Sequence, residues 1–303
     1  MISLVVNSYY RQGDDIVYKM LELSNLNAVV LHEPLHPNLF NIIENLGFNV
    51  VDQVYRMKVW VGYSKLDYFT LMKMKKHHKD FTVVLNFNEV KNYLDVLHNI
   101  PKEVMFKTTR CHFILKDIKQ TYNCKTIHVL RNPANTWLDH FDATIKYNPD
   151  LFWKYTLNDK YWSEVGKLFF LEPLFNVVAK KLGIEKVNNC LERFVITWTY
   201  CNYHAVISCD TPLIYEVLVT RCVDYINYLN RRLGRVVFSE AFAHLPRIET
   251  ALERPTTRDR LNNLISKIII EYGLEKYYKK IFEVVSSEMT RFSLSSKYYP
   301  LLP

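Results

Sequence analysis

Glycine is scarce in this chain, with 7 among 303 residues, and there are 11 prolines. An ordinary protein carries about 7% glycine, so collagen-like and linker-like compositions are excluded and each glycine marks a place worth inspecting. The six cysteines, Cys111, Cys124, Cys190, Cys201, Cys209 and Cys222, include no CxxC pair. A chain of this length has no need of disulfide staples, and reduced thiols are the expectation. No apolar run approaches the roughly 20 residues of a membrane span, and the opening Met-Ile-Ser-Leu-Val-Val-Asn7 has neither the basic region nor the apolar stretch of a signal peptide. The expectation is a soluble cytoplasmic protein.

Motifs are missing too. There is no GxxxxGK[ST] for a Walker-type phosphate loop and no GxSxG elbow around Ser8. Histidines and cysteines fall at no metal-ligand spacing, so no metal is expected. Neither a zinc finger nor an RNA-recognition signature is present, and nucleic acid is not the expected partner.

What is present is globular. Hydrophobic residues make up 49% of the chain, with 21 Tyr and 17 Phe, and the formal net charge is +8. Disorder needs the opposite balance, while the positive charge favours an anionic partner. The densest basic run, Lys73 to Lys79, ends a helical pattern where cations suit the dipole, and reads as a solvated helix end.

Short β-branched and aromatic runs occur at Ile2–Val6, Ala28–Leu31, Phe81–Leu85, Val104–Phe106 and Thr126–Leu130. Unbroken apolar runs of that length fit strands covered on both faces. Helical patterns separate them: Asp14–Leu23, Pro37–Leu46, Leu66–His78, Glu89–Leu97 and His112–Tyr122. The alternation predicts a doubly wound parallel α/β sheet. Beyond residue 145 helices dominate, about Tyr161–Leu182, Asn189–Ser208, Arg221–Leu233, Asp259–Tyr272 and Leu274–Phe292, with one more strand at Leu213–Val219. Residues 1–235 read as the α/β unit and 236–303 as a helical extension packed on it.

Ligands of open α/β sheets bind beyond the carboxyl ends of the strands, and the residues there are informative. The first strand runs into Asn7-Ser-Tyr-Tyr-Arg-Gln-Gly-Asp-Asp15, the second into His32-Glu33-Pro34. Later strand ends carry Lys107-Thr-Thr-Arg110, Arg131-Asn-Pro133 and Tyr215-Glu216. Three of five edges bring a cation to one rim and one brings a carboxylate two residues past its strand, Glu33, a basic crevice suited to a phosphorylated or sulfated ligand.

This order resembles the sulfotransferases that use 3′-phosphoadenosine-5′-phosphosulfate (PAPS). Their phosphate loop corresponds to Tyr10-Arg11-Gln12-Gly13-Asp14-Asp15, and their strand-Arg-(Asn/Asp)-Pro-helix element to Val129-Leu130-Arg131-Asn132-Pro133. Phe106-Lys107-Thr108, Trp198 and Ile214-Tyr215-Glu216 resemble further family segments, and the match covers about residues 1–235. The loop and the acid after the second strand are most similar to the tyrosylprotein and bacterial-type branch.

The resemblance implies sulfuryl transfer from PAPS to an acceptor hydroxyl, without a metal. In that scheme Arg11, Gln12, Gly13, Asp14 and Asp15 form the donor loop, with Arg11 stabilising the leaving phosphate. Arg131 holds the 3′-phosphate next to Asp139, Lys107 sits beside the donor, and Glu33 is the general base. The chain departs from the pattern where the loop hydroxyls are replaced by Asp14 and Asp15 and the serine eight residues after Arg131 by Asp139. A carboxylate about 4 Å from a phosphate costs about 1 kcal/mol in water and about 4 at an effective dielectric near 20. The alternative is therefore an inactive scaffold with a binding or structural role, in which Asp14 caps its own helix and fills the anion site.

Overall fold

The computed structural model describes residues 1–47, 60–141, 145, 148–162, 171–244, 255–296 and 299–302. Five strands, β1 (Ile2–Ser8), β2 (Val29–His32), β3 (Val104–Thr108), β4 (Lys125–Leu130) and β5 (Thr211–Ile214), form one sheet in the order β2-β3-β1-β4-β5. Every pairing is parallel: Val5 lies opposite Phe106 on one side and Thr126 on the other, and Val129 opposite Leu213. β1, β3, β4 and β5 are almost wholly buried, as expected of strands covered on both faces.

Side chains leave β1 alternately. Leu4 and Val6 join a cluster on one face, whereas Val5 joins the cluster on the other. A register shift between Ile2 and Leu4 puts Ile2 with Val5. The first face is covered by α1 (Asp14–Ser24), α8 (Leu171–Leu182), α9 (Cys190–Ser208), α11 (Cys222–Leu233), α12 (Pro255–Glu271) and α13 (Glu275–Arg291). The second is covered by α2 (Leu39–Leu46), α3 (Tyr68–His77), α4 (Phe87–His98) and α5 (Leu115–Tyr122). Shorter helices α6 (Pro133–Leu138), α7 (Pro149–Thr156) and α10 (Tyr215–Thr220) complete the described α-helices. No helix among the described residues is long and apolar enough to cross a membrane.

Two expected strands are corrected. Phe81–Leu85 is irregular: Asp80 accepts from the Thr82 amide (3.0 Å), and Phe81 packs on Tyr93 of α4 with ring centroids 5.6 Å apart. Phe81 and Val84 are buried by packing rather than by joining a ladder. The other expected strand, Leu213–Val219, stops at Ile214, and the chain turns directly into α10. Val217 and Leu218 are buried there as helical residues, tertiary packing overriding their β preference. Of the expected helix over 161–182, Tyr161 belongs to a 3-10 turn and Leu171–Leu182 is helical; residues 163–170 lie outside the described residues. Gly62, after Trp60, lets the chain press on the sheet, since a Cβ there would collide with the Val30 carbonyl.

Candidate functional site

The connection leaving β1 runs through α1 to β2 at one edge of the sheet, and the one leaving β4 leads to β5 at the other. The carboxyl ends of β1 and β4 therefore flank the topological switch point, where α/β sheets of this kind open a crevice.

The β1–α1 turn is held from within. The Tyr9 amide donates to Gln12 Oε1 (2.9 Å), and Gln12 Nε2 donates to Asn202 Oδ1 of α9 (3.1 Å). Asn202 Oδ1 also meets His128 Nε2 of β4 (2.8 Å). The Gln12 side chain thus points into the protein and secures the turn. Arg11 (φ 63°) and Gly13 (φ 81°) occupy the left-handed region. For Arg11 this costs on the order of 1–2 kcal/mol. Gly13 is required twice, by its φ and because a Cβ would overlap the Tyr215 ring. Gly13 is also the N-cap of α1, so no side chain caps that helix. The expectation that Asp14 caps it is corrected: Asp14 is the first helical residue.

Asp14 and Asp15 send their carboxylates to Lys107 of β3 instead. Asp14 forms a close ion pair with it, and Asp15 lies 3.2 Å away. Asp15 also meets His32 Nε2 (2.9 Å). Lys107 Nζ donates to Glu33 Oε1 (3.0 Å), while Glu33 Oε2 accepts from Arg110 Nη1 (2.9 Å) and from the Thr109 amide (3.2 Å). Glu33 reaches in because it sits just past β2 in a left-handed conformation (φ 46°), its own amide bonded to the Lys107 carbonyl (2.7 Å). Lys107, Asp14, Glu33 and Arg110 are all buried.

Titration follows from this packing. Burial alone would raise Glu33, but Lys107 and Arg110 outweigh it and hold the carboxyl down at about 2. Asp15 is likewise driven well below the usual carboxylate range, its burial overcome by Lys107 and His32. Asp14 moves up, because burial wins over Lys107 and Asp15 adds repulsion. Lys107 is raised by its three carboxylates in spite of burial.

A second group stands at the end of β4. Arg131 forms a close ion pair with Asp139, donates to the Arg11 carbonyl (3.2 Å) and lies over the Tyr215 ring, 5.0 Å from its centroid. Asn132 caps α6, accepting from the Asn135 amide (3.1 Å), and its own amide donates to Glu216 Oε1 (2.8 Å). Glu216 Oε2 accepts from Tyr299 Oη (3.0 Å). The segment carrying Tyr299 is tied down in turn, Tyr278 Oη donating to the Pro300 carbonyl (2.8 Å). Burial pushes the Glu216 carboxyl up.

Arg11, Gln12, Gly13, Asp14, Asp15, Glu33 and Lys107 thus surround one side of the switch point, and Arg131 with Asp139 the other, joined through the Arg11 carbonyl. Sequence reasoning had Arg110, His32 and Glu216 at strand ends without giving them partners. Asn202 and Tyr299 carry no local signal, since each comes from a helix or segment far along the chain. Among the described residues no group of three His, Cys, Asp or Glu side chains is disposed to hold a metal ion.

Fold and site define a doubly wound parallel α/β protein with a buried charge cluster at its switch point. No protein-family model matches the chain. It is 29% identical over 253 residues to a protein of Archaeoglobus fulgidus described as uncharacterized, covering 73% of this chain and 80% of that one. Among solved structures, it overlaps mouse sulfotransferase SULT7A1 complexed with PAP over 80% of its length, with a TM-score of 0.34 and 14% identity. The chain covers 62% of that enzyme, less than two thirds of its length.

Proposed function

We propose that this protein transfers a sulfuryl group from PAPS to an acceptor hydroxyl. One observation carries the reading: α1 begins behind a left-handed turn with only Gly13 as its cap, because both acids of its first turn engage Lys107. An uncapped helix start, with its amides and dipole, favours an anion. The replacement of the loop hydroxyls by Asp14 and Asp15 is then compatible with a donor, since these carboxylates face Lys107.

In this scheme the 5′-phosphosulfate lies against the Arg11–Gly13 turn, and Arg11 neutralises charge on the bridging oxygen as the S–O bond breaks. Arg131 grips the 3′-phosphate as a planar fork once Asp139 gives way. Glu33 receives the acceptor proton. Its low pKa makes it a weak base toward a free alcohol at neutral pH. The attacking oxygen becomes strongly acidic once its bond to sulfur has begun to form, and a carboxylate then suffices. Lys107 and Arg110 hold Glu33 ionised for that step. In-line transfer relies on positioning and charge neutralisation. Residues 1–235 would carry this chemistry, with 236–303 as a helical extension contributing the Tyr299 contact.

A second reading has its own support. Lys107 and Arg131 are already ion-paired with side chains of the same chain, as in a scaffold that has exchanged donor binding for internal neutralisation. Calorimetric titration with 3′-phosphoadenosine-5′-phosphate at low and near-physiological salt separates the two. Micromolar binding, roughly −8 kcal/mol, that disappears in Arg131→Ala supports the transferase. A folded protein that takes up no nucleotide even at low salt would leave the scaffold.

A further inference from the structure

The helix α3 presents an apolar surface with no role in the site above. Tyr68 is 70% exposed, Phe69 77% and Met72 46%. Single exposed apolar residues are ordinary, but two rings and a thioether side by side form a patch of a few hundred Å², large enough to mark an interaction surface. At about 100° per residue these three and Lys73, Lys75 and Lys76 share one arc of about 160°, while Met74 is buried on the opposite face. The apolar residues occupy the first turns and the lysines the last, with exposed Lys79 just beyond. The nearby acids are engaged: Asp67 caps α3 by accepting from the Thr70 amide (2.8 Å), Glu44 pairs with Lys75, and Asp80 accepts from Thr82.

We infer that α3 docks the protein on an anionic lipid bilayer, with Tyr68, Phe69 and Met72 entering the headgroup boundary and Lys73, Lys76 and Lys79 over anionic headgroups. Interfacial segments combine apolar side chains sunk into the headgroup boundary with lysines at its surface; in α3 the two are separated along the helix rather than around it, and each lysine near such a surface adds to the attraction. The shape favours a bilayer over single-stranded nucleic acid. The Tyr68 and Phe69 rings meet edge to face (centroids 6.0 Å, planes at 73°). Rings set at that angle offer successive bases no parallel platforms on which to stack.

Flotation of the whole protein with vesicles tests this. Vesicles of phosphatidylcholine alone are compared with vesicles that also contain phosphatidylglycerol, at low and high salt. The expected result is binding to the anionic vesicles only, weakened by salt. It should fall about tenfold or more both in Tyr68→Ser/Phe69→Ser/Met72→Ser and in Lys73→Glu/Lys76→Glu, with unchanged circular dichroism. These surface changes leave the core intact. The inference is overturned by failure to bind anionic vesicles at low salt. It is equally overturned by binding indifferent to the apolar triple variant, or by a single-stranded oligonucleotide that binds through the same residues while vesicles do not.

Discussion

In the proposed scheme Asp139 both serves folding and opposes binding. It neutralises Arg131, whose side chain is buried, and removing one partner of a buried pair costs on the order of 3–5 kcal/mol. Asp139→Asn should therefore lower the melting temperature of the free protein and tighten the product nucleotide at least severalfold, since the phosphate no longer competes with a carboxylate. Thermal melts and calorimetry on the same variant read both. A variant that binds no more tightly than the wild type would show that Asp139 does not oppose the nucleotide. Tyr299 acts one contact further away: through Glu216 it supports the amide of Asn132, next to Arg131. Tyr299→Phe removes a hydrogen bond to a buried carboxyl, worth about 1.5–3 kcal/mol, and should weaken nucleotide binding severalfold with little change in enthalpy of the site's other contacts. If nucleotide affinity is unchanged while stability falls, the contact serves folding alone. Arg131 and Glu33 were legible in the sequence because they directly follow strands, and Lys107 because it ends an apolar run within one. Their acidic partners were legible as residues but not as partners, since spacing along the chain says nothing about which way a carboxylate turns.

Among the elements, the β1–α1 turn has the most restricted backbone. Gly13→Ala meets both a left-handed φ and the Tyr215 ring, whereas Gly183 (φ 68°) has open space around its Cα. Gly183→Ala should cost about 1 kcal/mol, the conformational part alone; Gly13→Ala should cost clearly more. Denaturant midpoints at constant slope measure both, and equal costs would mean that Tyr215 yields freely. The strand-helix alternation was readable because β1, β3 and β4 each carry a short run dominated by apolar residues. Phe81–Leu85 misled for the same reason, a short apolar run being equally at home in a buried loop. α10 was missed because Val217 and Val219 favour strands by intrinsic preference, and only the packing of Val217 and Leu218 against the core makes that segment helical.

The whole molecule should be acid-sensitive well before its carboxylates titrate. Burial lowers His112 to about 3 and His128 and His140 to about 4. The unfolded chain takes up these protons near pH 6.5 and the folded protein refuses them. Stability is therefore complete above about 6.5 and is lost as the pH falls toward 4, by on the order of 3–5 kcal/mol per histidine at the limit. Glu33 adds to this further down: with a pKa of about 2 against an ordinary 4.5, its contribution is present above about 4.5 and fades toward pH 2. Asp14, shifted upward, opposes it. Melting temperature against pH should fall steeply between 6.5 and 4, and a flat profile there would contradict the buried, neutral state of these imidazoles.

The sequence by itself determined the class of fold, the position of four of the five strands of the parallel sheet and the residues at its rim, because hydrophobic periodicity and chain order are local properties. Tertiary structure alone decided what that rim does with its charge. Asp14 and Asp15 come from α1, Glu33 from the end of β2 and Lys107 from β3, and they meet only because β3 lies between β2 and β1. Strand order is settled by long-range packing, and with it whether an acid in the first turn of α1 blocks the helix start or turns aside to a lysine.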